Sequence, residues 1–289
     1  AADLGARFYA DWREMVQKES PDFVFALGRH CDMAETARFL LEADVPFAME
    51  KPMGLNLQQV EDLADLAERK GAFVAVPFSI RMNSWVHKIR ELEGPAADLS
   101  YAVFRFYSGP VSRYYQNDNV WNLKKTEAGG GCLINIGIHF PDLYFHLTGK
   151  KPKSVHAVTR NGVYGEEVED FALVTAEMQD GALCIIECAY AHSTSPQVPS
   201  VEFSLHSKRY QFRSLGKDNM LWVDQEGHHY ELEAPQGNTA SYPAFVADTI
   251  DALQNGRAPI AGIQDNLASL RIVDAAYRSA AQGEVVQLS

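Results

Sequence analysis

The chain has 289 residues and is short of positive charge: Lys and Arg total 26 against 38 Asp and Glu, a formal net charge of −12. No dense basic run offsets this, and Lys150, Lys151 and Lys153 come closest. An acidic surface without a basic patch repels phosphate backbones and anionic lipid headgroups, which excludes nucleic acid as the main partner. Nor does any uninterrupted apolar stretch approach the roughly 18 residues that a membrane helix needs. The opening AADLGARFYADW has neither the basic start nor the apolar core of a secretory signal, and it has no initiator Met. Cysteine is scarce at four residues. Cys184 and Cys188 stand in CIIEC, where strand geometry puts them on one face but too far apart for a comfortable disulfide. Free buried thiols and a reducing compartment, the cytoplasm, are the expectation. Internal repeats, low-complexity tracts and a zinc signature such as H-E-x-x-H are also missing.

What remains is an ordinary globular composition, 46% hydrophobic and 22% charged, at a length that predicts about two domains. The first 80 residues alternate short apolar runs with helical periodicity. DFVFAL (22–27), VPFAME (45–50) and AFVAVPF (72–78) read as buried strands. CDMAETARFLLEAD and LQQVEDLADLAERK read as the helices between them, the second capped by Asn56 and ended by Gly71. This rhythm predicts a parallel sheet covered by helices. Past 80–84 the pattern changes. A long strand (97–107) and a helical segment (132–147) lead into strand after strand from 154 to 232, with Asp180-Gly181 as a hairpin turn. Two helices, 242–254 and 263–281, close the chain. The expected fold is α/β: residues 1–82 form a parallel-sheet domain, and 83–289 form an α+β domain with a large, mainly antiparallel sheet.

Two segments carry candidate chemistry. MEKPMGLN (49–56) puts Glu50, Lys51 and Pro52 at the carboxyl end of a parallel strand, where open α/β sheets bind ligands. A surface Glu-Lys pair in a proline turn is the plainer alternative. AGGGCLINIGIHFPDLYFHLTG (128–149) follows three glycines with Asn135, His139, Asp142 and His146, which share one stripe if the segment is a single helix. Such a stripe faces either a polar cavity or solvent, and Pro141 within it implies a kink or a break.

In this order and at this spacing, MEKPMGLN followed by W-x7-GGG-x3-N-x-G-x-H-x2-D (Trp121 to Asp142) resembles the Gfo/Idh/MocA family of NAD(P)-dependent sugar and polyol oxidoreductases. The likeness extends over nearly the whole chain, from GARFYADWREMVQKESPDFVFAL to the closing helices. It implies a Rossmann-like domain that binds NAD or NADP, and hydride transfer to or from a sugar, cyclitol or related polyol. By the same likeness Lys51 and His139 are catalytic. Glu50, Lys51 and Pro52 lie beside the cofactor with Gly28, Arg29 and His30 of LGRHCDM. Asn135, Arg81, Asp142 and Trp121 contact substrate. The family's oligomers imply a homodimer or homotetramer packed through the antiparallel sheet.

The residue types suit that chemistry. Alcohol oxidation needs a base of near-neutral pKa, which His supplies, and a Lys that polarises or relays. Asn135 stands where the family has Asp, and an amide positions a substrate without exchanging protons. No G-x-G-x-x-G occurs anywhere in the chain, and the family's first β-α-β unit has no counterpart after Ala1. A longer natural chain is therefore expected. A shortened protein, or one that completes its sheet through a partner, is the alternative, and a non-catalytic sugar-binding or assembly module is the rival function.

Overall fold

A computed structural model gives the structure of residues 5–190, 200–216, 218–235 and 238–288. Helix α1 (Trp12–Glu19) is capped by Asp11, whose carboxylate accepts from the Arg13 N–H at 2.9 Å. The apolar runs then fold as strands β1 (Val24–Ala26), β2 (Phe47–Met49) and β3 (Val74–Ala75), parallel and in the order β1-β2-β3. Each strand is shorter than its apolar run. Between them lie α2 (His30–Glu42) and α3 (Leu57–Lys70). The Asn56 side chain accepts from the Gln59 N–H at 3.1 Å, and Gly71 ends α3 at φ +58°, so both helix-end signals act as read. The buried face of α3 is Val60, Leu63, Ala64 and Ala67.

A 3-10 turn (Ser79–Met82) leads to α4 (Ser84–Glu93) and the long strand β4 (Leu99–Tyr107). Short helices α5 (Ser112–Gln116) and α6 (Lys125–Ala128) flank a second 3-10 turn (Val120–Leu123). Next come a π-helical turn (Leu133–Gly137) and α7 (His139–Thr148). The segment expected as one helix is therefore two elements. Pro141 sits in the first turn of α7, where its missing N–H leaves no helical bond unmade.

The remaining strands are β5 (Pro152–Arg160), β6 (Phe171–Met178), β7 (Leu183–Ala189), β8 (Ser200–Ser207), β9 (Tyr210–Leu215), β10 (Asn219–Asp224) and β11 (His229–Glu233). Helices α8 (Asn238–Gln254) and α9 (Ile263–Gln282) and strand β12 (Val286–Gln287) end the described chain. Among the described residues the large sheet has nine strands, ordered β11-β10-β9-β8-β4-β7-β6-β5-β12. Every pairing in it is antiparallel except β4 with β7. The hairpin turn between β6 and β7 uses Gly181 at φ +85°.

Helix α9 lies along β5 and touches α3 and α7, so it packs on both halves of the molecule. The chain ahead of α9 also pairs with the small sheet, since the Val76 N–H donates to Ala261 O at 3.0 Å. One continuous apolar core runs from Val16 and Phe47 beside the small sheet to Val174 and Leu205 in the large one. Within it Trp85 stacks on Phe203, with ring centroids 4.1 Å apart. All four cysteines are free. Cys132, Cys184 and Cys188 are buried, while Cys31 is half-buried. No helix among the described residues is long and apolar enough to cross a membrane.

Candidate active site

The site is built where β2 ends. Beyond Met49 come Glu50, then Lys51 and Pro52 joined by a cis peptide bond. Lys51 is 8% exposed, and burial pulls its ammonium below the ordinary lysine range, against a smaller opposing effect of Glu50. Its Nζ donates to the main-chain carbonyl of Asn135, with Asn135 Oδ1 further off at 3.4 Å. Glu50 accepts a bond from the Tyr242 hydroxyl at 3.3 Å.

Asn135 belongs to the π-helical turn, which the three glycines bring close to its neighbours. A Cβ on Gly131 would lie 2.0 Å from the main-chain oxygen of Glu169, and one on Gly130 would lie 2.1 Å from the Tyr277 hydroxyl. Only glycine fits such approaches. The Glu169 carboxylate accepts the N–H groups of Gly131 at 2.8 Å and Leu133 at 2.9 Å, and the Tyr277 hydroxyl at 2.8 Å. Burial raises its pKa against the pull of these donors. Sequence reasoning missed this anchor because it comes from the loop just ahead of β6, 38 positions beyond Gly131.

The Asn135 amide is fully engaged. Its Nδ2 donates to the hydroxyls of Tyr114 at 2.9 Å and Tyr190 at 3.0 Å. Both tyrosines lie outside the two motifs of the sequence. A signal for Tyr190 was present: the alternation that buries Cys184, Ile186 and Cys188 on one face of β7 continues to it.

His139 opens α7 and meets the face of Phe78 edge-on at 5.7 Å between ring centroids. Its Nδ1 is buried and has no hydrogen-bond partner among the described residues. Burial, and secondarily the charge on Lys51, hold its pKa well below the usual histidine value, so the ring is neutral near pH 7. A neutral ring with an open nitrogen is able to take up a proton.

Gly28, Arg29 and His30 lie at the turn from β1 into α2. His30 is buried and its Nδ1–H donates to Ala128 O at 2.8 Å. Its ring packs edge-to-face on Trp121, with centroids 4.9 Å apart. Burial, with a smaller contribution from Lys51, lowers its pKa to about 4. Trp121 thus stands against the mouth of α2 rather than alone in a loop. Arg29 is exposed and pairs with Asp32 at 2.8 Å and Glu127 at 2.9 Å. Gly28 borders a groove of about 300 Å³ along β1, lined by Trp12, Met15, Phe25, Leu27 and Met33 among others.

Arg81 and Asp142, both expected to contact substrate, meet each other. They are spent on each other: Arg81 Nε donates to Asp142 Oδ2 at 2.9 Å, and Nη2 bonds the other carboxylate oxygen. The same guanidinium donates to Ile260 O at 2.6 Å and Asp265 Oδ1 at 2.8 Å. The two residues are 4% and 2% exposed and form a buried ion pair, as a charge at that depth requires a partner. Burial pushes the Asp142 carboxyl up against the pull of Arg81, while Asp142 and Asp265 hold the guanidinium charged. His146 is likewise used elsewhere, accepting Arg90 at its main-chain oxygen at 2.9 Å.

The residues beyond the ends of β1 and β2 suit a dinucleotide. Lys51 is buried and cationic, the mouth of α2 opens at the same ends of the strands, and the open Nδ1 of His139 lies within reach of the Lys51 charge. A glycine-rich diphosphate loop is not among the chain's motifs.

Comparison with known proteins identifies the family. Residues 1–78 match the family model described as the oxidoreductase family's NAD-binding Rossmann fold, and 99–288 match its C-terminal alpha/beta domain. D-apiose dehydrogenase of Paraburkholderia graminis is 26% identical over 98% of this chain and 77% of its own length. D-glucoside 3-dehydrogenase of Escherichia coli is 25% identical over 98% of this chain and 84% of its own. In fold, the chain superposes on an NAD binding oxidoreductase from Klebsiella pneumoniae with a TM-score of 0.84 at 19% identity, covering 100% of this chain and 86% of that one. Two matched models that together span most of the chain make this protein a member of the Gfo/Idh/MocA family of NAD-binding oxidoreductases.

Proposed function

We propose that the protein transfers hydride between NAD or NADP and a secondary alcohol or carbonyl of a sugar, cyclitol or related polyol. The observation that carries this reading is the open, buried Nδ1 of His139, set within the influence of the Lys51 ammonium that is tied to Asn135. The nicotinamide, when bound, accepts or gives the hydride. The chain's own residues handle the proton. His139 takes it from the alcohol oxygen, or returns it to the carbonyl oxygen in reduction. Lys51 offsets the negative charge that grows on that oxygen, and burial strengthens its effect. Asn135 keeps Lys51 and the two tyrosines in place beside the substrate, and its amide does not titrate. Glu50, Pro52 and the turn Gly28-Arg29-His30 border the cofactor, and Trp121 closes over that turn. The relatives named for sugar substrates support the substrate class at low identity. Residues 1–82 serve the cofactor and 83–289 serve substrate and assembly, with the open face of the nine-stranded sheet as the surface for a homodimer or homotetramer.

The test is turnover of a panel of aldoses, cyclitols and their oxidised forms with NAD and NADP in both redox states, followed by nicotinamide absorbance. Turnover that requires the nicotinamide supports the reading. Sugar binding with no turnover in either direction overturns it in favour of a non-catalytic binding module.

A further inference from the structure

Three successive main-chain N–H groups at the start of the Asn135 turn all end on one residue. Glu169 Oε2 accepts Gly131 N–H at 2.8 Å, its main-chain oxygen accepts Cys132 N–H at 3.0 Å, and its Oε1 accepts Leu133 N–H at 2.9 Å. The first N–H groups of a helical run have no acceptor within it, so an outside cap has to supply one. Both arms of the Glu169 side chain face donors, which suits a group that only accepts. The grip passes on to Asn135. The peptide between Gly131 and Cys132 gives its N–H to Glu169, and its carbonyl accepts the Asn135 N–H at 3.1 Å. The Asn135 carbonyl in turn takes the Lys51 ammonium. Hydrogen bonds in such a chain polarise and strengthen one another.

We infer that Glu169 is a positioning residue for Lys51: through the turn it pins, it holds the Asn135 carbonyl against the Lys51 ammonium. The inference rests on the reading of Lys51 as the cation beside the reacting oxygen, and adds what keeps that cation aimed and charged. A carbonyl bonded to an ammonium favours its charged form. When the turn slips, the Lys51 amine gives up its proton at lower pH. Among the described residues, the other titratable groups coupled to the Lys51 charge are Glu50 beside it, His30 at the mouth of α2 and His139 at the start of α7. All three remain when Glu169 is changed.

The test is carbon NMR of the full chain labelled at the lysine Cε, where the Lys51 resonance is the one missing from Lys51→Met. Glu169→Gln keeps the shape but turns an amide donor toward an N–H donor. Glu169→Asp keeps the charge but is too short to reach both N–H groups. In each, the Lys51 midpoint is expected to fall by about one pH unit, the equivalent of one charge-assisted hydrogen bond. For the best substrate of the polyol panel, kcat should fall about 10–100-fold while KM moves by no more than about threefold. Tyr277→Phe removes a hydroxyl from the same carboxylate but leaves both N–H bonds, so the midpoint should stay within about 0.3 unit.

A midpoint that falls as far in Tyr277→Phe as in Glu169→Gln would mark general loosening. One that falls in Glu169→Gln but not in Glu169→Asp would mark through-space charge alone. Either result overturns the inference, as does a midpoint that moves in neither Glu169 variant. Where neither of them folds, the wild type decides. Titrating Glu169 with acid should shift the Asn135 carbonyl carbon with the same midpoint as the Gly131 and Leu133 amide protons, and a carbonyl that does not follow overturns the inference. The Lys51 midpoint is read without turnover, so the two readings fail separately. If it falls as expected while kcat is unchanged, or no polyol turns over at all, the catalytic reading of Lys51 falls and its positioning by Glu169 stands.

Discussion

The ammonium of Lys51 reaches the main-chain carbonyl of Asn135, 84 positions further along the chain. The contact joins the last turn of β2 to the π-helical turn ahead of α7, so the two segments singled out in the sequence meet at one bond. Replacing Lys51 by Met keeps the buried volume and removes the charge. Turnover of the best polyol is expected to fall by about 10²–10⁴-fold, while its dissociation constant moves by no more than about threefold. Steady-state kinetics beside equilibrium titration separates the two. Equal losses in both would remove Lys51 from the chemistry.

In the proposed reaction, His139 sets the acid limit. Burial and the neighbouring Lys51 hold its pKa below the ordinary 6.5, so it remains an available base under mildly acidic conditions. The acid limb of kcat/KM for alcohol oxidation is expected to fall below pH 6.5. His139→Asn should lower kcat by about 10²–10⁴-fold and erase that limb. An unchanged pH profile in the variant would assign the proton to another group.

Arg81 and Asp142 form a structural clamp. Removing one partner leaves a buried charge alone, at a cost of about 3–5 kcal/mol. Arg81→Met is therefore expected to destabilise the fold by that amount in urea unfolding. Adding Asp142→Leu should recover most of it. If the double variant is no more stable than the single, the pair is not what holds this region together.

Stability should also carry the mark of His30. Its folded-state pKa of about 4 lies under its ordinary 6.5. Below pH 6.5 the unfolded chain takes up a proton that the folded chain refuses, so this contribution is complete above 6.5 and lost as pH falls toward 4. One such group gives a slope of about 1.4 kcal/mol per pH unit in that window. His30→Asn preserves a side-chain donor toward Ala128 and removes the titration. Its unfolding free energy should vary less steeply with pH by that one increment, with His139 and His146 still contributing. Parallel pH dependences in variant and wild type would show that His30 is solvated.

Much of this arrangement could be read from sequence because it is local. Asn56 and Gly71 mark their helix, Asp180-Gly181 marks its hairpin, and E-K-P marks a strand end. The helical spacing of Asn135, His139, Asp142 and His146 misled, since it assumed one continuous helix. The π-helical turn breaks the register after Gly137. Asn135 goes to Lys51 and the two tyrosines, Asp142 goes to Arg81, and His146 goes to Arg90. Pairings across such separations are set by tertiary packing, and no short pattern announces them. Glu169 was hidden for the same reason, since a carboxylate at a strand's entrance looks like any solvated one until Gly131 and Leu133 are laid against it.

The continuous apolar core that runs beneath both sheets has a consequence for how the molecule melts and how it moves. Two halves with separate cores would unfold in two heat-absorption steps and swing as rigid bodies about their connection. Here α9 is mortared to each, and Ala261 is stitched to Val76. The calorimetric trace should therefore hold one peak. The same shared packing holds the two halves against swinging about their connection.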